Sequence, residues 1–441
     1  MTVLVFNQFF FPDAVATSQL LTDVARALVE EGHSVRAICG RGGYAGENGG
    51  ELPGVSIVRT WALPFGHGAA ARVLSYLSYL CGAIWHGLRG PRPDVVVTLT
   101  TPPVLSLVGW LVRAARGGRH YIWEMDVYPD IAVELGVLRA GAWWTRGLGW
   151  ALDAVRRRAD GVIVLGESMR ERLLGHGIPS ERLFVSENWA DGEEIQPRAF
   201  PPATTLQVLY SGNLGLAHDV ETLCGALETL AGDPRFQFTF AGGGPQRGAL
   251  ERFCRERGTA GEEKTSGGKE AALPIWRSAV PGRADRGGRP AGLADQGAAP
   301  MVCPTVEFRG YCARDELAAS LAGCHVGLVT QKAATVGAVV PSKVYGLMAA
   351  GRGVLYVGPG NGTPARLIRR FGCGWHVEPG DVAGLAAVLR RLAEDSGEVE
   401  AAGARGYPAF REYYDRPTGV GRIVGILGAA RVGAGAALAE R

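Results

Sequence analysis

Of the 46 basic residues in this 441-residue chain only four are lysines, and two of them, Lys332 and Lys343, bracket the small-residue loop of QKAATVGAVVPSKVYGLMAAG (331–351). That loop leads through Pro341 and Ser342 into a predicted helix, with Lys343 in the first turn and Tyr345 and Gly346 just behind it. A cation there opposes the helix macrodipole unless an anion is present to receive it. The pattern suits a phosphate ligand; a lysine that simply faces solvent is the alternative. A second anion-binding candidate is YSGNLGLAHD (210–219), which follows a strand and opens a helix. Gly212 and Gly215 let backbone N–H groups around Asn213 turn toward an anion, and His218 adds a donor. A plain tight turn uses the same residues. Carboxylates cluster in EMDVYPD (124–130), where Glu124, Asp126 and Asp130 stand at a strand end. They suit a base, a set of hydroxyl-orienting groups, or caps for the next helix. SENWAD (186–191) puts Glu187, Asn188 and Trp189 at the close of the first half, lining the passage to the second or packing against it.

These residues need a scaffold, and the hydrophobic pattern supplies one. VLVFNQFF is a β-rich run, Thr17 or Ser18 is placed to cap a helix over QLLTDVARALVEEG, and SVRAIC is the next strand. Buried-strand runs recur at 94–100, 120–126 and 160–166, with Thr100 and Thr101 at one strand end, implying a parallel sheet covered on both faces. After the linker DGEEIQPRAFPPATT the alternation restarts with QVLYSGN and FQFTFAGG and continues to a helix capped by Thr363-Pro364. The expected architecture is α/β, two doubly wound Rossmann-like domains facing across a cleft, with ligands at the carboxyl ends of the strands. The expected domains are 1–195 and 205–395, with a helical segment 396–425 returning toward the first domain and a flexible tail 426–441. Residues 258–304 lack periodicity and read as a disordered insertion, as out-of-frame residues, or as a lid.

Composition removes several function classes. The 43 acidic residues nearly cancel the basic ones, leaving +3, so no nucleic-acid partner is expected. The eight cysteines form no C-x-x-C pair, which argues against zinc and a disulfide framework and for a reducing cytosol. No basic region precedes the opening apolar run, so no secretory leader is expected. The first strand is not followed by G-x-G-x-x-G, GGGPQRG (242–248) has the wrong spacing, and no G-x-x-x-x-G-K-[ST] loop occurs. Dinucleotide oxidoreductases and P-loop enzymes are therefore disfavoured. Two segments suit a membrane surface: 73–88, apolar almost all round but short of a span, and 142–158, with three tryptophans among arginines. Ordinary helix packing with a solvated basic face is the alternative for the second.

Taken together, the opening FNQFFFPDAVATSQLLTDVARALVEEGHSV, TTPP, DVYPD, SENW, YSGNLG, FAGGG and VVPSKVYGLMAAGR resemble the retaining nucleotide-sugar glycosyltransferases of family 4, with the GT-B fold, in the bacterial branch that makes surface polysaccharides. The resemblance covers nearly the whole chain outside 258–304 and the tail. It implies transfer from a nucleoside-diphosphate sugar, with retained configuration, to a lipid-linked or polysaccharide-precursor acceptor, without metal or other cofactor. A nucleotide-sugar 2-epimerase of the same fold and a catalytically degenerate binding subunit are the alternatives. It further implies a cytoplasmic protein held peripherally at the inner face of the plasma membrane through 73–88 and 142–158. The residues it implies for catalysis are Asp126 and Lys343. For the donor they are Gly212, Asn213, Gly215, His218, Lys332, Pro341, Ser342, Lys343, Tyr345, Gly346 and Thr363; for the acceptor, Thr17, Ser18, Asp130 and Asn188. Departures from the family pattern are Ala338 and Gly346, where many members carry glutamates, His218 as sole candidate for a basic pair, and Glu124-Met125 where a histidine is common.

Overall fold

The computed structural model describes residues 1–13, 15–41, 50–63, 69–202, 204–256 and 305–428; the expectations for 258–304 and for the tail beyond 428 lie outside the described residues. Two parallel sheets result, because runs such as VVVT, GVIV, VGLVT and GVLYV are buried on both faces and need helices over each. The first half comprises β1 (Thr2–Phe6), α1 (Ala16–Glu30), β2 (Ser34–Gly40), β3 (Val55–Thr60), α2 (Ala69–Gly87), β4 (Val95–Thr98), α3 (Leu105–Arg116), β5 (Arg119–Trp123), α4 (Asp130–Glu134), α5 (Trp143–Arg158), β6 (Gly161–Val164), α6 (Glu167–Gly175) and β7 (Leu183–Val185). The second comprises β8 (Leu206–Ser211), α7 (Glu221–Thr229), β9 (Phe236–Ala241), α8 (Arg247–Glu256), β10 (Thr305–Arg309), α9 (Arg314–Ala322), β11 (Val326–Thr330), α10 (Lys343–Ala349), β12 (Gly353–Val357), α11 (Thr363–Phe371), β13 (Gly374–Val377) and α12 (Val382–Glu394). α13 (Ser396–Tyr413) and α14 (Arg416–Gly428) follow.

Strand order is β3-β2-β1-β4-β5-β6-β7 in one sheet and β10-β9-β8-β11-β12-β13 in the other. Each order reverses once, between β1 and β4 and between β8 and β11, and at such switch points the loops diverge to leave a crevice. The register there is Val3 opposite Val95 and Val326 opposite Val208.

Three local expectations need correction. α1 begins at Ala16 without a side-chain cap, so Thr17 and Ser18 lie inside its first turn; the Asp13 carboxylate instead accepts from Val15 N at 3.2 Å just upstream. Thr363 is the first residue of α11, and Gly362 stands at the cap position. The return to the first half is made by α14 alone, whose Val420, Ile423, Val424 and Leu427 join the first core, whereas Phe410 of α13 remains in the second. The helix also runs through 426–428, which the sequence assigns to the tail. The chain thus passes between halves twice, and the passages lie side by side: Ala190 N donates to the Tyr414 carbonyl at 3.2 Å, and Arg416 N to the Ala190 carbonyl at 3.0 Å.

Candidate active site

On the second half, the turn leaving β8 and the helix entered by Lys343 meet at the β8/β11 switch point. Gly212 has φ 117°, and a Cβ there would lie 2.9 Å from Lys343 Cε, so glycine is what lets the lysine lie beneath the turn. The GGG turn after β9 packs under it, Gly212 N donating to Ala241 O and Leu214 N to Gly243 O, both at 2.7 Å. Lys343 Nζ lies 5.0 Å over the Tyr210 ring and donates to the Asn213 carbonyl at 3.4 Å. Among the described residues no carboxylate pairs with it, and burial pulls its pKa down to about 8. Gly215 completes the turn, and its carbonyl accepts from Gln246 Nε2 at 2.8 Å. Pro341 is buried and Ser342 is exposed without a capping bond. Lys332 is half-buried, its N–H donating to Ala217 O at 2.8 Å.

Three donor-side expectations change. His218 Nδ1 donates to the Thr330 carbonyl at 2.8 Å, so that hydrogen is committed to the protein; burial, with Lys343 nearby, drops the imidazole's pKa to about 4 and keeps it neutral. Tyr345 is fully buried, its ring 5.0 Å from Tyr414, because it faces the α10–α13 core rather than the turn above Lys343; Gly346 follows, 3.5 Å from Leu321 of α9 as measured from an added Cβ. Thr363 Oγ1 lies 3.1 Å from Ser168 Oγ of α6, tying the two halves together.

On the first half, Asp126 follows β5 and forms an antiparallel bridge with Val339, beside a 2.8 Å bond from Val127 N to the Ala338 carbonyl. The segment 339–343 therefore leads directly from the Asp126 bridge to Lys343. Burial, and then the Glu124 charge, push the Asp126 carboxyl up to about 6. Glu124 itself is committed to Arg156, 2.7 Å away, both side chains almost wholly buried. Asp130 is also spoken for: it takes Arg172 Nε at 2.6 Å and His176 Nε2 at 3.1 Å, so it knits α4 to α6 rather than standing open to an acceptor. Arg172 continues across the cleft to the Val336 carbonyl at 2.7 Å. Thr17 is half-buried at the start of α1. Ser18 Oγ and Asn188 Oδ1 are buried without a hydrogen-bond partner among the described residues. Orphaned polar atoms cost free energy and mark places where a polar ligand or water is accommodated. Arg156, Arg172, His176, Tyr210 and Tyr311, whose hydroxyl reaches Asn213 Oδ1 at 3.4 Å, were not singled out from sequence. Among the described residues no group of three His, Cys, Asp or Glu is placed to hold a metal.

His176 carries a pH prediction. Hydrogen bonds it donates to Asp130 and Asp153 raise it to about 9, so its stabilising charge is fully present below the unfolded value near 6.5 and is lost as pH rises through 9. Melting temperature should fall over that window by the equivalent of about 1–2 kcal/mol after allowance for solvent screening. His176→Gln should flatten the profile in a thermal melt series; an unchanged slope would remove the imidazole as its source.

A glycosyl transferase 4-like domain matches residues 17–189. The glycosyltransferase-named WbjE of Pseudomonas aeruginosa is 26% identical over 317 residues, covering 69% of this chain and 68% of that protein. WcaI of Escherichia coli K12, whose name assigns it to colanic acid biosynthesis as a glycosyl transferase, is 21% identical over 89% of this chain and 92% of its own length. The chain is a glycosyltransferase, similar through its first half to the glycosyl transferase 4-like family. Its fold is GT-B, shared with Anabaena HepE, solved in complex with UDP and glucose, at TM-score 0.67 and 14% identity over 97% of this chain and 100% of that one. In this glycosyltransferase the segment from Val336 to Lys343 takes contacts from the first half, at the Asp126 bridge, the Val127–Ala338 bond and Arg172, and ends at the lysine under the Gly212 turn.

Proposed function

We propose that this glycosyltransferase moves a hexosyl group, with retention of anomeric configuration, from a nucleoside-diphosphate sugar to a lipid-linked or polysaccharide-precursor acceptor in cell-surface glycan synthesis. The observation that carries the reading is Lys343: a half-buried ammonium with no carboxylate partner among the described residues, beneath a glycine turn at the β8/β11 switch point. Charge builds on a departing diphosphate in the transition state, and a fixed cation with backbone N–H groups stabilises it without metal. The turn at Gly212, Asn213 and Gly215 with Ser342 and Lys343 would hold the diphosphate. Asp126 would face the reacting carbon, and Thr17, Ser18 and Asn188 the acceptor. HepE's complex with UDP and glucose supports a nucleotide-sugar donor, and WcaI's name supports a polysaccharide product. No described helix is long and apolar enough to cross a membrane, so contact with the inner face of the plasma membrane would be peripheral, through α2 and α5.

The test is a thermal-shift panel of UDP, GDP, ADP and their common sugars. A ligand that binds only the folded state adds about 2.7 kcal/mol at a hundred times its Kd, so one nucleotide should stand out by several degrees. No shift from any of them in a folded protein would overturn the donor reading.

A further inference from the structure

The first half carries a polar pocket that the site described above does not use. It has a volume of about 270 Å³ and is walled by α4, the first turns of α5 and α6, with Asp130, Glu134, Ala140, Thr145, Arg146 and Arg172 among its lining residues. α4 follows the carboxyl end of β5 and α6 that of β6, so the pocket lies at the cleft end of the sheet. One of its walls, Arg172, is the side chain that reaches the Val336 carbonyl of the second half. The volume is just under the range of about 300–1,000 Å³ occupied by drug-sized ligands, which suits a molecule of one ring.

The polar groups of the pocket are of two kinds. The first kind belongs to the start of α5. Ala142 gives that helix no side-chain cap and no acid stands in its first turn, so the N–H groups there and the positive end of the helix dipole are unanswered. Thr145, in the same turn, is 4% exposed, and its hydroxyl has no hydrogen-bond partner among the described residues. A buried hydroxyl left in that state costs free energy unless a polar ligand or water reaches it. Arg146 is exposed, and among the described residues no carboxylate pairs with it. These three features together favour an oxyanion. The second kind is an acceptor. Glu134 takes Arg172 Nη2 on Oε1 at 2.8 Å, while its Oε2 has no partner among the described residues. A free carboxylate oxygen repels an anion and accepts from a hydroxyl. A bare inorganic anion answers only the first kind of group, and a neutral sugar only the second. A sugar acid answers both.

We propose that this pocket binds an acidic sugar, with its carboxylate on Arg146, Thr145 and the first turn of α5 and a hydroxyl on Glu134. The proposal rests on the transferase reading above and narrows its substrate class: the glycan that the enzyme handles contains a uronic-type unit. That unit is held apart from the reacting one, because Thr17, Ser18, Asp126 and Asn188 do not line the pocket.

The experiment is calorimetric titration of the full-length protein with glucuronate at constant ionic strength, with glucose and inorganic phosphate as comparison probes. Glucuronate should bind at least about tenfold more tightly than either, the least that a hydrogen bond to a charged group contributes. Arg146→Ala, and Thr145→Val with its retained shape, should each raise the Kd for glucuronate about tenfold or more while leaving the Kd of the preferred nucleotide unchanged. Lys343→Ala should leave glucuronate binding intact, which separates this pocket from the donor site. Equal binding of phosphate makes it a bare anion site and overturns the sugar; equal binding of glucose overturns the carboxylate contact. Glucuronate binding that survives Arg146→Ala, or is lost in Lys343→Ala, lies elsewhere and overturns the pocket. No glucuronate binding by a protein that still binds its nucleotide overturns the pocket and leaves the donor reading standing. A protein that binds glucuronate through Arg146 but no nucleotide keeps the pocket and fails at the donor reading.

Discussion

Lys343→Ala is expected to weaken binding of the preferred nucleoside diphosphate by about ten- to a hundredfold, the 1.5–3 kcal/mol characteristic of a hydrogen bond to a charged group. The ammonium lies beneath the Gly212 turn, partnered among the described residues only by the Asn213 carbonyl and the Tyr210 ring. Part of its desolvation has already been met by the fold, so a diphosphate would gain more from the charge than from that of a fully solvated lysine. The same feature sets a pH dependence. Without ligand Lys343 titrates at about 8, and a bound diphosphate would raise that value. Above pH 8 binding must therefore take up a proton, and Kd should climb about tenfold per pH unit until the liganded value is passed. The alanine variant should show no such climb. Calorimetric titration from pH 7 to 10 measures both; unchanged affinity in the variant would take Lys343 out of the site.

Glu124→Ala should cost about 3–5 kcal/mol of folding stability, the usual consequence of leaving a buried charge without its partner. Arg156 is almost wholly buried, and Glu124 is its closest carboxylate at 2.7 Å, with Asp153 at 2.8 Å and the Tyr128 carbonyl at 3.0 Å. Those remaining partners should make Glu124→Gln, which keeps the shape of the side chain, milder than the alanine variant. Either change also removes a negative neighbour of Asp126, whose carboxyl should then titrate below about 6. Chemical denaturation gives the stability difference directly. A loss under about 1 kcal/mol, within the range of an exposed pair, would mean that Arg156 finds compensation elsewhere.

The positions legible in sequence are those whose residue type stands out against its surroundings. The turn at Gly212 needs positive φ and a missing side chain, and Lys343 is conspicuous in a chain that otherwise uses arginine. The two sheets were equally legible, because strands buried on both faces are continuous apolar runs. Roles set by distant partners were not. Asp130 looks like an open carboxylate until Arg172 and His176, 42 and 46 residues further on, fold against it. Tyr345 follows Lys343 by two positions, but helical geometry turns it onto another face, toward Tyr414 of the chain's last passage. The start of α1 was misplaced because Thr17 and Ser18 are good capping residues that nonetheless lie inside the helix.

The paired passages at Ala190 and Asp415 have a mechanical consequence. Two strands of chain fastened to each other by backbone bonds, with Arg416 paired to Asp191 and Asp415 accepting from Gly192 N at 3.0 Å, behave as a hinge pin rather than as two independent tethers. Sliding or twisting one half across the other would have to break those bonds, whereas swinging about the pin leaves them intact. An opening about that pin would have to part the Asp126–Val339 bridge, the Arg172 strut and the Ser168–Thr363 and Glu171–Arg366 contacts. A closure guided by such a pin would return along one arc, so a substrate carried on one half would meet the other in a fixed alignment.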